Sequence, residues 1–482
     1  MTGAARLLVS AAHKSSGKTT LSVGLAAALR ARGLAVQTFK KGPDYIDPMW
    51  LARASGRPCF NLDPYLSDAA AIAACVAREA AGADLALIEG NKGLHDGLAL
   101  DGSNSNAALA CLVQAPVVLV IDARGMTRGI APLLLGFQAF DRNVRIAGVI
   151  LNQVGGSRHE GKLRAVIEHY TDMAVLGAVP RDARLALPER HLGLMPDAEF
   201  DAPAARVEAI AAVVAERVDL DRVMAAAATA APLPATPAEP SARRAAPDVR
   251  IGMARDRAFG FYYPDDLAAL EAAGATLVPF DTLHDTVLPA VDGVFIGGGF
   301  PEVYMESLQA NATLRGALRR AIEAGLPVYA ECGGLMYLAR SIRWGERSAE
   351  MVGAIPGDIV MHDRPVGRGY LHVEETDAFP WAASSGTDPQ QGASRLRRGH
   401  EFHHSSLENL APEVVFAYRV RRGHGIDGER DGVILHNMLA SYAHLRSGAG
   451  ADWAPRFVDF VRTVARQRRA SAVGAAAVAL AA

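Results

Sequence analysis

A chain of 482 residues is too long for one ordinary domain, and 50% hydrophobic with 21% charged residues is the composition of a well-packed soluble protein. The formal net charge of -2, with no Lys/Arg-rich arm, excludes the basic stripe that nucleic-acid binding requires. Cys59, Cys75, Cys111 and Cys332 show no paired metal-ligand spacing and are too few for a disulfide framework, so a reducing cytoplasm is expected, with neither a signal peptide nor a membrane span.

Taken in order, residues 6 to about 225 alternate short apolar strands (7–10, 85–89, 117–122 and 146–151) with helical segments, the pattern of a mostly parallel sheet covered by helices. The loop from Ser10 to Thr20 follows the first strand and precedes a helix over 21–31, the context a phosphate-binding loop requires. Backbone N–H groups around Gly17 and Thr20 would hold phosphates, Lys18 would reach the terminal ones, and Thr19 would offer its hydroxyl to Mg²⁺. Ala12 stands where the usual pattern has Gly, and a polar loop capping a helix is the plainer alternative. Two acidic motifs follow at strand ends: Lys40-Lys41-Gly42-Pro43-Asp44-Tyr45-Ile46-Asp47-Pro48, and Glu89-Gly90-Asn91-Lys92-Gly93-Leu94-His95-Asp96-Gly97. In an open α/β sheet those ends line the ligand crevice, where carboxylates can hold Mg²⁺ and Lys40 can offset phosphoryl charge, although Asp and Gly also dominate ordinary turns.

Domains are expected over 1–228 and 248–446, with a Pro/Ala/Thr-rich linker at 229–247 and a C-terminal helix and Ala-rich tail at 447–482. That helix is placed at 452–468, with a frayed end beyond it. In the second domain, Gly297-Gly298-Gly299 follows a strand and can aim backbone N–H groups at a developing oxyanion. Downstream, Cys332-Gly333-Gly334 lies on a tight turn between an apolar strand (326–330) and a helix, and reads as a nucleophile elbow with an exposed thiol. The alternative is a buried structural cysteine.

Residues 42–48, 89–97 and the phosphate loop resemble the cobyrinate a,c-diamide synthase family, whose first domain is similar to dethiobiotin synthetase, and the likeness covers nearly the whole chain. The resemblance implies that Lys18, Thr19, Asp44 and Glu89 serve ATP and Mg²⁺, and that Asp47 and Asp96 sit where a substrate carboxylate meets the γ-phosphate. Asn152, in a segment similar to the family's adenine side, would read the base edge or serve as a turn residue. The glycine turn and the elbow together resemble a class I glutamine amidotransferase, with Gly298, Gly299 and Gly333 as oxyanion donors. Ser441-Tyr442-Ala443-His444-Leu445 is similar to the family's closing motif, which favours His444 over His436 as the base; the third member of the triad is unidentified. The His-rich stretch 399–405 is read as a hydrogen-bonded turn near that site and not as a zinc site.

The fold expectation is therefore α/β with two domains, a P-loop parallel-sheet domain followed by a class I glutamine amidotransferase-like domain. The expected activity is glutamine- and ATP-dependent amidation of the a and c acetates of cobyrinate or hydrogenobyrinate, through an acyl phosphate and channelled ammonia. Met49-Trp50-Leu51 and Asn91-Lys92 depart from the usual pattern in ways that resemble the sirohaem-amidating branch, with Trp50 stacking on the ring and Lys92 pairing with a carboxylate, or with both as surface packing. A partitioning-type ATPase switch would explain the first half only, and an inactive amidotransferase module would release no glutamate. Glutamine and a tetrapyrrole are the expected partners, with no nucleic acid and no membrane; a homodimer is left open.

Overall fold

The computed structural model describes residues 4–187, 189–190, 193–233, 245–381, 395–447 and 452–481. The chain forms two compact units, Met1–Ala238 and Glu239–Ala482. The core of the expected linker, residues 234–244, lies outside the described residues.

The first unit is built on seven parallel strands: β1 (Ala5–Ala11), β2 (Val36–Lys41), β3 (Phe60–Leu62), β4 (Leu85–Glu89), β5 (Val117–Asp122), β6 (Ile146–Val154) and β7 (Val175–Pro180). Their order is β3-β2-β4-β1-β5-β6-β7, so the chain reverses direction across the sheet around β1. Crevices for ligands form at such a point, beyond the carboxyl ends of the strands. The strands read as apolar runs because both faces are covered: Leu7 and Val9 join one buried cluster and Leu8 the other. Helix α1 (Lys18–Ala31) buries Leu21, Leu25 and Leu29, each worth roughly 1.5–3 kcal/mol of transfer free energy. It also packs closely on the helix Pro203–Arg217, where a Cβ on Gly24 would stand 2.4 Å from Val214. That packing fixes the start of α1, and with it the phosphate loop.

The second unit carries a mixed sheet. Strands Ala275–Phe280, Val249–Ala254, Gly293–Ile296, Val328–Glu331 and Met438–Ser441 are parallel neighbours in that order. The sheet continues antiparallel through Arg430–Leu435, Val415–Arg422, Gly367–Glu375 and Leu396–His403 to His444–Leu445. The stretch 399–405 is therefore not a turn. Residues 399–403 lie in a strand that pairs His400 with His444, His404 is a bend, and Ser405 opens the strand Ser405–Glu408 of a separate four-stranded sheet.

The last helix spans Trp453–Ala481 and so continues through the stretch beyond 468 where a frayed end is expected. Alanine has the highest helix propensity, and the tail is rich in it. Trp453, Phe457, Val458 and Val461 anchor its first turns in a buried cluster with Tyr329 and Phe295. Among the described residues, no helix is long and apolar enough to cross a membrane, and all four cysteines are free.

Candidate active sites

In the first unit the loop after β1 reaches α1 through Gly17, at φ 87°, a left-handed conformation that side chains rarely adopt. A Cβ there would also meet the Asn152 amide at 2.2 Å. Asn152, buried at the end of β6, donates Nδ2 to the Ser16 carbonyl at 2.9 Å. Its amide nitrogen thus braces the phosphate loop from below, a contact that sequence spacing does not announce.

Behind the loop lies a charged cluster. Lys40, buried at the end of β2, sets Nζ 2.5 Å from Asp47 and 2.8 Å from Glu89. The Thr19 hydroxyl donates to Glu89 Oε1 at 2.6 Å and to Asp47 Oδ2 at 3.3 Å. Burial opposes the Lys40 ammonium, yet the carboxylates of Asp47 and Glu89 outweigh it and raise its pKa. Asp47 is likewise held low by Lys40 against the cost of burial, whereas burial raises Glu89 above the usual carboxylate range. Asp44 accepts from the Ile46 backbone at 2.8 Å, and burial followed by the neighbouring Asp47 pushes it up to about 7. Lys18 is lowered by burial and then by Lys40. Asp96 is exposed and accepts from the Gly93 backbone at 2.9 Å; a Cβ on Gly93 would stand 2.7 Å from both Asp96 and the Ala12 carbonyl, so this loop lies against the phosphate loop. Thr20 opens α1 beside Thr19.

The donor set suits a hard cation. Glu89 Oε2 is buried with no hydrogen-bond partner, next to a hydroxyl and a second carboxylate. Among the described residues, no group of three or more His, Cys, Asp or Glu forms a ready-made metal cage. Mg²⁺ is commonly held by one or two carboxylates, waters and substrate phosphates, and Thr19, Glu89 and Asp44 fit that kind of site.

One ring-binding expectation fails here. Trp50 is not available to stack on a macrocycle: it is fully buried in the core, donates Nε1 to the Met195 carbonyl at 2.8 Å and meets Phe200 edge-on. The apolar face of α2 (Ile46–Ser55) carries Trp50 inward together with Leu51 and Ala54. Lys92 is exposed, with φ 42°, and no protein carboxylate among the described residues pairs with it, which leaves its ammonium open to a ligand.

In the second unit Cys332 caps the short helix Gly333–Leu338 at φ 48°, ψ -102°, a strained geometry found at nucleophile turns. The thiol is not exposed as expected; it is 6% accessible, because the strands carrying His444 and Phe402 fold over it. The Phe402 carbonyl lies 4.0 Å from Sγ. Gly333 is required by close approach, since a Cβ there would stand 2.9 Å from the Gly299 nitrogen. Gly298 and Gly299 pair with Phe261 and Phe259, and a Cβ on Gly298 would stand 2.7 Å from His444 Cε1. The glycine turn, the elbow and His444 therefore converge on one point.

His444 touches both Cys332 and a carboxylate that sequence spacing did not single out. Glu331, the residue before the nucleophile, places Oε2 3.4 Å from His444 Nδ1. Its Oε1 accepts from the Tyr329 hydroxyl at 2.6 Å and from the Leu445 backbone at 3.0 Å. Burial opposes the imidazolium, but Cys332 and Glu331 prevail and push its pKa up to about 10. His400 stacks on His444 with centroids 4.8 Å apart and is driven well below its ordinary value by burial, so it stays neutral beside the imidazolium. A second buried acid, Asp431, accepts from the backbones of Tyr442 at 3.0 Å and Ala443 at 2.9 Å, pinning the bend that delivers His444. His436 sits exposed on the turn between strands Arg430–Leu435 and Met438–Ser441. Alternation along Val328–Glu331, which puts Tyr329 and Glu331 on one side, was the available signal for Glu331.

Comparison with known proteins gives matches over both units. Residues 8–194 match the CobQ/CobB/MinD/ParA nucleotide binding domain, and residues 250–451 match the CobB/CobQ-like glutamine amidotransferase domain. A cobyrinate a,c-diamide synthase of Magnetococcus marinus is 46% identical, covering 95% of this chain and 97% of its own. The enzymes of that name from Methanosarcina acetivorans and Listeria monocytogenes are 41% and 40% identical, covering 94% and 91% of this chain and 95% and 96% of theirs.

Proposed function

The chain belongs to the cobyrinate a,c-diamide synthase family and is a glutamine-dependent amide-forming ligase, and from that premise we propose that it amidates the a and c acetates of cobyrinate or hydrogenobyrinate at two coupled sites. The observation that carries this reading is the pairing, in one chain, of a Cys332–His444–Glu331 arrangement with a phosphate loop backed by Lys40, Asp47 and Glu89.

At the first site Cys332 Sγ attacks the side-chain carbonyl of glutamine, and the N–H groups of Gly299 and Gly333 receive the charge on oxygen. A raised His444 pKa means that the proton of the Cys–His pair rests on the imidazole, ready for the departing ammonia. Glu331 holds the ring in that orientation by its contact with Nδ1, and water then cleaves the thioester to glutamate.

At the second site an acetate of the acceptor attacks the γ-phosphorus of ATP, the bond to the β–γ bridging oxygen breaks and ADP leaves. The carboxylate oxygen becomes part of a phosphate leaving group, and ammonia displaces it to give the amide and inorganic phosphate. Lys18 and Lys40 offset charge on the transferring oxygens, and Asp47 and Asp96 border the place where the acceptor meets the phosphate. Mg²⁺ held by Thr19, Glu89 and Asp44 would neutralise phosphate charge there. Ammonia in bulk water at neutral pH is mostly protonated and not nucleophilic, so an enclosed route between the two reactions is part of the proposal.

The acceptor is assigned from the relatives' names, and the buried Trp50 stacks on neither candidate ring. The test is to supply ATP, Mg²⁺ and glutamine with cobyrinate or with sirohaem and weigh the product. Two carboxyl-to-amide changes on cobyrinate are expected. Turnover of sirohaem alone would replace the acceptor, and ATP hydrolysis without any amide would support a nucleotide switch instead.

A further inference from the structure

Lys41 is a buried cation that forms no ion pair among the described residues. It ends β2, one residue after Lys40, and alternation along the strand turns it to the opposite face of the sheet, away from Asp47 and Glu89. It is only 5% accessible, and its Nζ makes one hydrogen bond, to the neutral Asn91 Oδ1 at 3.1 Å. Among the described residues, no carboxylate lies within ion-pairing distance. Asp63 favours the charge on Lys41 without contacting it, and is engaged by the backbone N–H groups of Tyr65 and Leu66 at 2.9 and 3.4 Å. A second cation, Lys92, follows Asn91 directly and is close enough to disfavour the charge on Lys41. Burial, above all, pulls the Lys41 ammonium down to about 8.

Folding does not normally leave a buried ammonium facing another lysine, because removing a charge from water is costly unless an anion meets it. The surroundings are also fixed in place. Asn106 accepts from the Asn91 backbone at 3.1 Å and donates to the Gly93 carbonyl at 2.8 Å, stapling the 91–93 loop to the rim that continues to Asp96 and the phosphate loop. A Cβ on Gly42 would stand 3.1 Å from the Asn91 amide, so the two acidic motifs meet here.

We propose that Lys41, assisted by Asn91 and Lys92, is an anion site that holds a carboxylate of the acceptor other than the one being amidated. This rests on the reading of the acceptor as a tetrapyrrole with several carboxylates. Such a molecule presents chemically similar acetates, and a fixed cation at a set distance from the phosphorylation point selects which one enters. Nucleotide phosphates held beside Lys40 and Thr19 would lie toward the other face, which favours a carboxylate over a phosphate as the occupant.

The test is equilibrium binding of cobyrinate and of its fully esterified form to the full chain, together with steady-state kinetics, for the wild type, K41M and K41R. Loss of a charge-assisted hydrogen bond predicts binding of cobyrinate weaker by about tenfold to a hundredfold in K41M. The ester should bind K41M and the wild type alike, the KM for ATP should not change, and K41R should recover much of the loss. K92M, at an exposed position, should show a smaller shift of the same sign. Equal binding of cobyrinate by K41M and the wild type, or a rise in the KM for ATP in its place, overturns the proposal. Failure of the wild type to bind cobyrinate at all would overturn the acceptor reading as well, which separates the two failures.

Discussion

The two sites differ in how much of their chemistry is already assembled. Around Cys332 every partner is in place: the strained turn, the imidazole against the thiol, the carboxylate on Nδ1 and the glycine amides at close approach. Around the phosphate loop the charged groups neutralise one another. Lys40 bridges Asp47 and Glu89, and the Thr19 hydroxyl that a cation would need is donated to Glu89. A hydrolytic site that handles one small molecule can be built rigid and dry. A site that must receive nucleotide, cation and a large acceptor holds its charges in mutual pairs, which these ligands would have to exchange. The first unit is thus the half whose activity should depend on what is bound.

Breaking the assembled site gives the largest expected effect. Replacing Cys332 with Ala should lower glutamine-driven amidation by at least about 10³-fold while leaving ammonium-driven amidation near wild type, read by amide formation with each nitrogen source. K18A should instead lower both by about 10²–10³-fold, and retention of either rate would show that the two halves are not divided in this way. E331Q keeps shape but removes charge, and glutamine hydrolysis should fall about tenfold to a hundredfold. Its pH profile sharpens the comparison. The imidazolium is lost as pH rises through the His444 pKa of about 10, so the wild-type alkaline limb should lie near there. Because Glu331 is one of the groups that raise that pKa, the limb should move to lower pH in E331Q. An unmoved limb would reduce Glu331 to packing.

Smaller effects concern support. D431A would strip acceptors from the backbones of Tyr442, Ala443 and Gly432, costing about 3 kcal/mol in denaturant unfolding together with glutaminase activity. W50F should cost about 1 kcal/mol of stability and leave the KM for the acceptor unchanged, as expected of a core residue. A raised KM would return Trp50 to the ring.

Much of the first unit was legible because its chemistry is local: the strand, the loop to Thr20 and the helix lie within a few turns of chain, and the acidic motifs fall at strand ends. The amidotransferase half was legible at Cys332 and at the glycine turn for the same reason. Glu331 was missed because its partner is His444, more than a hundred residues away, and only strand alternation hinted at which way it faced. The stretch 399–405 was misread because a strand is defined by its partners, here Gly367–Glu375 and His444–Leu445, and not by its own composition. Trp50 was misread because a large aromatic near a motif looks like a platform until helical phase assigns it to the core. Lys41 passed unnoticed beside Lys40, since nothing in two adjacent lysines says that one is neutralised and the other is not.

The division of labour is tested most directly by isotope labelling in a single reaction. The acceptor carries ¹⁸O in its carboxylates and glutamine carries ¹⁵N in its side-chain amide, with ATP and Mg²⁺ present. Each amide formed should carry one ¹⁵N, and the inorganic phosphate released with it one ¹⁸O. Amide formation with no ¹⁸O in the phosphate would contradict activation of the carboxylate at the phosphate loop.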